Sequence, residues 1–508
     1  MKTNLSWTKK MIIKYWDLGR FPGRNVKNVV VTDQDRSDYH VTTTSQKSKP
    51  VSANFPSSAN DDPGLLSTIR SLKSKVTGMI IASVPSETSP PPSLTNEDKQ
   101  FITDEARVMI DRIKTSSASL IDDLKLMNKK LSMFPWLIES ENFRVTALRK
   151  LRMLGNEEET VGVLVRECKA RLGEREMLNS PGVRILSLDG GGMRGVATLL
   201  MLEELEKITG AKTHQMFDLI VGTSTGAVIA SLVGISCMEA KEGLDLYMEM
   251  GGKIFERSLV GGVGGLIQNQ SYYDQKILEE VLRNYAGDSL LFNSSWSPGV
   301  PAIAMVSSIV TNTIQPHIFS NYLLHPSIKP PFPHTTTTPL FQAIIASCAA
   351  PGYFSHVVVS GSTHVDGAVV ANNPAQLALL ESKLLWPKEK LQCLASFGSG
   401  QPGFQKLEEK NNITTKDVLT RSLDALADTE TAHQVLKHFL DSERYFRLSP
   451  PLQNIVELNE VREYMLDQLI KETRRYIRNN NKLFTDLAET VMEPPSTVDR
   501  LMRSCRKI

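Results

Sequence analysis

The sequence predicts an α/β fold in which a mainly parallel central sheet is flanked by helices and preceded by a helical region. Three observations carry this expectation. Val183-Arg-Ile-Leu-Ser-Leu188 is a short apolar strand, Val196 to Ile208 is strongly helical with Gly210 just past its end, and a second apolar strand begins near Met216. Strand, helix and strand in one crossover make a right-handed βαβ unit with parallel strands. The second strand then runs into Gly222-Thr-Ser-Thr-Gly226 and an Ala/Val/Ile/Leu stretch, an order of strand, tight turn and helix. Finally, apolar residues keep helical spacing through Phe101, Ile102, Ala106, Met109, Ile110 and Ile113, and similar patterns recur near Leu120 to Leu131 and Val161 to Leu172.

The elements before the sheet differ in character. Residues 1–30 are basic (Lys2, Lys9, Lys10, Lys14, Arg20, Arg24 and Lys27 against Asp17), and on a helix Trp7, Met11, Ile12, Tyr15 and Trp16 share one half. Such a start suits a membrane surface or an organelle presequence; a disordered basic tail is the other reading. From Thr32 to Leu94 the chain turns to Ser, Thr, Pro and Asp, which cannot bury a core and reads as linker. Thr95-Asn-Glu-Asp98 is an N-cap pattern opening the helical region. The expected organisation is therefore 1–94 as basic start and linker, 95–180 as a helical pre-domain, and 181–508 as a domain of chemistry with its core at 183–400. Helices, a strand at Tyr445-Phe-Arg-Leu448 and a long helix from about Asn459 to Arg478 complete that domain.

Composition excludes several classes. Lys plus Arg is 58 and Asp plus Glu 56, a net charge of +2 that gives no reason to expect a nucleic-acid partner. The 5 cysteines are scattered without a C-x-x-C pair, which favours reduced thiols over a disulfide framework or zinc site. Phe217 to Cys237 carries a single charge, Asp218, but the glycines around Ser224 favour a buried strand and helix over a membrane span.

Ser224 is the candidate nucleophile. Gly222 and Gly226 leave room for a strained elbow that lifts its hydroxyl clear of the backbone, although a plain small-residue turn has the same pattern. The loop Asp189-Gly-Gly-Gly-Met-Arg-Gly195 follows the first strand and precedes a helix, so Gly190, Gly192 and Gly195 also match the G-x-G-x-x-G dinucleotide fingerprint. A dinucleotide-binding oxidoreductase would need an acid at the end of the second strand, and Asp218 lies at its beginning. The other use of the loop is an oxyanion hole built from the backbone of Gly190, Gly191, Gly192, Met193, Arg194 and Gly195 at a helix N-terminus. Parallel strands put this loop and Ser224 on one sheet rim.

A serine needs a proton acceptor. Among the 9 histidines, His433 and His438 follow Ser224 in the order an α/β hydrolase uses, but they sit in an amphipathic stretch from Asp417 to Leu440. The other candidate is Asp366, which follows a hairpin from Val357 to Val365 turning at Ser360-Gly361; a turn aspartate before glycine is its bland reading.

Taken together and in order, Asp189-Gly-Gly-Gly-Met-Arg-Gly195, Gly222-Thr-Ser-Thr-Gly226, Ala350-Pro-Gly-Tyr-Phe354 and Asp366-Gly-Ala368 resemble the patatin-like phospholipase family, and Tyr273-Asp274 and Ser396-Phe-Gly-Ser-Gly400 are closest in wording to its calcium-independent branch. The resemblance implies a patatin-like three-layer fold with Ser224 as nucleophile, Asp366 as proton acceptor of a dyad, and the N–H groups around Gly191 and Gly192 as oxyanion hole. It implies hydrolysis of glycerophospholipid esters, for which serine, carboxylate and backbone donors would cover every role without metal or other cofactor. The scattered thiols and the basic start give the expected location as an intracellular membrane surface, with an organelle such as the mitochondrion as one location. Met193 and the Asp-Gly-Ala ending depart from the usual wording without changing a reacting group. A non-catalytic lipid-binding scaffold is the remaining alternative. Gly251-Gly252 and Gly261 to Gly265 flank an apolar segment that reads as a flexible lid or a plain loop.

Overall fold

The computed structural model describes residues 96–113, 119–154, 159–255, 273–402, 428–453 and 456–501. The basic start, the linker, Gly261 to Gly265 and the first part of the stretch from Asp417 lie outside them. From Ile102 to Ile508 the chain forms one compact unit.

Four helices come first: α1 (Asn96–Arg112), α2 (Leu120–Met133), α3 (Glu141–Met153) and α4 (Glu159–Arg171). Their buried residues, such as Ile102, Ala106, Met109 and Ile110 on α1, follow the spacing of the sequence pattern. Side chains at and just beyond α4 tie these helices to the body. Arg166 Nε donates to the Trp296 carbonyl at 2.9 Å, Arg175 Nη1 to that of Ser295 at 2.7 Å, and the Arg171 guanidinium lies 5.5 Å from the Trp296 ring centre.

The sheet opens with β1 (Val183–Leu188) and β2 (Leu219–Thr223), paired in parallel, with α5 (Gly195–Thr209) as the crossover. β2 starts at Leu219 and not near Met216, because Thr213–Met216 forms a helical turn whose Thr213 N–H and hydroxyl both bond Glu206 Oε1 at 2.7 Å. After β2 come α6 (Thr225–Ala230), α7 (Ala240–Phe255) and α8 (Gln275–Ala286), then the antiparallel pair β3 (Ala302–Val310) and β4 (Ile314–Ser320), short β5 (His334–Thr335) and α9 (Leu340–Cys348). The hairpin β6 (Val357–Val359) and β7 (Ser362–Asp366) follows, then α10 (Ala375–Leu385), β8 (Leu391–Phe397) and β9 (Gln401–Pro402). α11 (Glu430–Phe439), β10 (Tyr445–Leu448), β11 (Pro451–Leu452), α12 (Glu463–Asn479) and α13 (Asn481–Met492) complete the chain.

Strand order is β10-β8-β1-β2-β3-β4-β5, with β6 and β7 attached through β3. The pairs from β10 to β3 are all parallel. Parallel strands are covered on both faces, and side chains alternate accordingly. Leu186, Ile220, Ile303, Cys393 and Phe397 face the layer of α5 to α9, α12 and α13. Ile185, Leu219, Ala304 and Leu394 face α10 and α11. These layers make a patatin-like three-layer α/β fold.

One detail of register positions the chemistry. β3 is longer than β2: its residues Ala302 to Val306 pair with β2, and Ser307 to Val310 pair antiparallel with β7. Where β2 stops at Thr223, opposite Val306, β7 takes over the lane with Asp366 opposite Ser307. The residue after Thr223 thereby meets the end of β7 head-on.

Candidate active site

Ser224 occupies that meeting point. Its backbone stands at φ 53, ψ −123, a positive φ that costs a non-glycine residue about 1–3 kcal/mol and persists only where its surroundings enforce it. Here they do. A β-carbon on Gly222 would lie 2.2 Å from the Gly226 carbonyl oxygen, and one on Gly226 would lie 2.1 Å from that of Leu188, so strand and helix approach as only glycine allows. Ser224 N–H donates to Ser347 Oγ at 2.9 Å, and Ser347 Oγ in turn donates to the Val306 carbonyl at 2.5 Å.

The Ser224 hydroxyl donates to Asp366 Oδ2 at 2.7 Å across 142 residues of sequence. Asp366 Oδ1 accepts from Ala368 N–H at 2.7 Å, the Asp366 N–H donates to the Ala349 carbonyl at 2.9 Å, and its carbonyl accepts from Ser308 Oγ at 2.7 Å. The side chain is therefore held at both ends. Burial pushes its carboxyl up to about 6 against the opposing pull of the Ala368 and Ser224 bonds. No histidine among the described residues bonds either group. His433 shares its Nδ1 with Tyr445 Oη at 3.1 Å and His438 is exposed. His364, two residues before Asp366, lies 2.9 Å through its Nδ1 from Ser307 Oγ, and burial pushes its ring down to about 4, so it is neutral.

The glycine loop packs against Ser224, since a β-carbon on Gly190 would lie 3.2 Å from Ser224 Cβ. Of the six residues expected to form the cradle, four have their N–H committed elsewhere. Gly190 donates to the Asn372 carbonyl at 3.0 Å, Met193 to that of Leu458 at 2.7 Å, Arg194 to that of Gly191 at 3.1 Å, and Gly195 to those of Gly192 and Met193. Among the described residues no acceptor bonds the N–H of Gly191 or Gly192. The candidate cradle narrows to these two because the remaining amides start the helical turn or close the loop against its neighbours.

The sequence profile described as patatin-like phospholipase matches residues 186–379. The chain is 34% identical over 356 residues to calcium-independent phospholipase A2-gamma of Homo sapiens, covering 69% of this chain and 45% of that protein. The chain belongs to the patatin-like phospholipase family. Phospholipase A I of Arabidopsis thaliana is 29% identical over 424 residues, 70% of this chain and 32% of that one. The cGAMP-activated phospholipase of Vibrio cholerae is 30% identical over 215 residues, 39% of this chain and 57% of that protein. The chain thus spans less than half the length of the human relative.

Family membership does not explain several residues that hold the site. Asp189, at the head of the glycine motif, forms a buried ion pair with Arg447 Nη2 at 2.7 Å, and Arg447 Nη1 donates to Ser396 Oγ at 2.9 Å. Burial raises the Asp189 carboxyl to about 6 while Arg447 pulls it back. Arg194 Nε donates to the Gly191 carbonyl at 3.3 Å, so it braces the loop. The Gly192 carbonyl accepts from Tyr247 Oη at 2.5 Å and Thr225 Oγ1 at 2.9 Å. Residues just ahead of α12 also wall the loop, which is why that helix starts at Glu463 and not at Asn459: Leu458 bonds Met193 and the Asn459 amide bonds Tyr273 Oη. Arg447, Tyr247, Leu458 and Asn459 carry no local sequence signal, because each acts from a distant segment, whereas Arg194 lies in the loop it braces.

One further expectation changes. Gly251 and Gly252 do not break the chain; α7 continues to Phe255, and a β-carbon on Gly251 would lie 2.3 Å from Met193 Sδ. The departure at Met193 is thus matched by a glycine opposite. The glycines from 261 to 265 lie outside the described residues. At the two ends of that gap, Phe255 and Tyr273 meet edge to face at 5.2 Å, joined by Phe354 at 5.8 Å from Tyr273.

Proposed function

We propose that the chain is a calcium-independent phospholipase that hydrolyses fatty-acyl esters of glycerophospholipids through Ser224, Asp366 and an acyl-enzyme. The observation that carries this reading is the 2.7 Å bond from Ser224 Oγ to Asp366 Oδ2 on a strained elbow. The phospholipase names of its relatives support the lipid class. A dinucleotide site is disfavoured, since Asp218 accepts from Leu178 N–H and Arg184 N–H at the start of β2.

In the first half-reaction Ser224 Oγ attacks the ester carbonyl and its proton passes to Asp366. The oxygen of the tetrahedral intermediate takes its negative charge against the Gly191 and Gly192 N–H groups. Collapse expels the glycerol oxygen, which leaves with the proton from Asp366 as lysophospholipid. Water then attacks the acyl-enzyme, giving its proton to Asp366. The second collapse frees the fatty acid and returns the proton to Ser224. A carboxylate of ordinary pKa, about 3.9, is a weak base toward an alcohol. Burial of Asp366 narrows that gap. Serine, carboxylate and backbone amides cover every role, so these steps call on no metal. We place the reaction at a phospholipid membrane surface approached from one side; among the described residues no helix is long and apolar enough to cross a membrane.

The test is labelling by a fluorophosphonate together with fatty-acid release from phosphatidylcholine vesicles in excess chelator. Wild type should do both and Ser224→Ala neither. A protein that binds vesicles but takes no label is a lipid-binding scaffold, and label that survives Ser224→Ala places the nucleophile elsewhere.

A further inference from the structure

The two N–H groups of the proposed oxyanion hole belong to two successive peptide planes, and each plane is held by its opposite edge. The plane between Gly190 and Gly191 presents its carbonyl to Ser399, whose Oγ donates to it at 2.8 Å. The plane between Gly191 and Gly192 presents its carbonyl to Arg194, from the backbone N–H at 3.1 Å and from Nε at 3.3 Å. A trans peptide is rigid, with N–H and C=O on opposite edges. A bond that fixes the carbonyl of Gly190 therefore fixes where the Gly191 N–H points.

Ser399 is built to do this. It follows β8, which runs parallel beside β1, so its loop lands on the same rim as the glycine motif. The side chain is buried, and its Oγ lies 2.0 Å from where a β-carbon on Gly191 would stand, so the absence of a side chain at Gly191 is what admits the Ser399 hydroxyl to the loop. The loop is anchored in turn by β10, through Gly398 N–H to the Leu448 carbonyl at 2.7 Å. Ser399 reaches the reacting atoms only through the peptide, and it comes from a segment 209 residues away.

We infer that Ser399 is a positioning residue for the hydrolysis, orienting the Gly191 N–H toward the oxygen that becomes negative on the attacked carbonyl. The inference rests on the hydrolase reading above. Its consequence is specific: without the Ser399 hydroxyl the Gly190–Gly191 peptide can swing, and the loss falls on the tetrahedral state, not on substrate binding. A complete oxyanion donor is worth about 10²–10³ in kcat, and a misaligned one loses part of that.

The experiment compares Ser399→Ala and Ser399→Thr in the full chain, reading kcat and KM on vesicles and the affinity for a fatty-acyl trifluoromethyl ketone. That ketone accepts Ser224 Oγ at its carbonyl, with the serine proton passing to Asp366, and so carries the same oxyanion. Ser399→Ala should lower kcat by about tenfold or more with KM within about twofold, and weaken ketone affinity by the same factor. Ser399→Thr keeps the hydroxyl and should recover most of both. Wild-type kcat in Ser399→Ala overturns the inference, as does a fall in kcat with ketone affinity unchanged, or a loss confined to the urea midpoint. A wild-type protein that neither releases fatty acid nor binds the ketone removes the hydrolase reading first, a result distinct from active wild type with an unaffected Ser399→Ala.

Discussion

At the scale of the residue, the burial that suits Asp366 to its proposed role as base has a cost that can be measured. Its carboxyl stands at about 6, above the ordinary value of the unfolded chain, so the folded state holds the proton more tightly. The stability this contributes is present in acid, below the unfolded value, and is lost as pH rises through about 6. The deprotonated form that can accept the serine proton is thus the less stable one. kcat/KM is expected to rise with pH through a midpoint near 6, read from a pH profile on a soluble ester. Asp366→Asn should lower kcat by about 10²–10⁴ while its urea midpoint at pH 8 equals or exceeds wild type. An active Asp366→Asn would move the base to another group. Ser224 and Asp366 were legible in the sequence because each sits in a turn whose neighbours are constrained, Gly222 and Gly226 for one and Gly367 for the other. The roles of Ser399, Arg447 and Ser347 were not, since a serine or arginine in a strand, at its end or in a helix reads the same whether or not it reaches a distant segment.

Among elements, the elbow is a unit of strand, turn and helix whose tolerance is set by backbone contact. Gly226→Ala would drive a methyl to 2.1 Å from the Leu188 carbonyl, at the end of the strand that leads directly into the glycine loop. Neither partner is a flexible side chain, so β1 or α6 must move. A loss of about 1–3 kcal/mol in urea unfolding is expected, together with a fall in kcat because the displaced strand carries the oxyanion loop. Unchanged stability and rate would mean that the elbow is looser than these contacts describe. The βαβ unit, the hairpin and the late strand at Tyr445 were all legible as elements, and the hairpin turn has positive φ at both Ser360 (50) and Gly361 (79), as a tight two-residue connection requires. Gly251-Gly252, read as one flank of a lid or plain loop, lie inside α7 for a tertiary reason: a glycine in a helix interior signals flexibility or a neighbour too close for a side chain, and only the position of Met193 decides between them.

For the whole molecule, the apolar stretch from Phe217 to Cys237 holds one charge, and that charge joins distant parts. Asp218 is 2% exposed, accepts from Leu178 N–H at 2.5 Å and Arg184 N–H at 2.9 Å, and pairs with Arg184, whose Nη1 reaches the Val491 carbonyl of α13 at 2.7 Å. Removing it leaves a buried guanidinium without its counter-charge and takes an acceptor from two amides. Asp218→Ala should cost about 3–5 kcal/mol in equilibrium unfolding, with the pH midpoint of activity unchanged in the folded fraction. A loss under about 1 kcal/mol would show that water takes the place of the carboxylate.

By itself the sequence determined the first βαβ unit, the elbow, the hairpin and the late strand at Tyr445, and it brought Ser224 and Asp366 forward as candidates, because apolar periodicity and glycine placement are local properties of the chain. It did not determine that β7 continues the lane that β2 leaves, or which two of six amides stay free. Those were decided by β3 being longer than β2 and by side chains arriving from β8, β10 and the approach to α12. Pairing across a sheet satisfies backbone groups between segments remote in sequence, so the position of each amide and carbonyl depends on partners that no local pattern specifies.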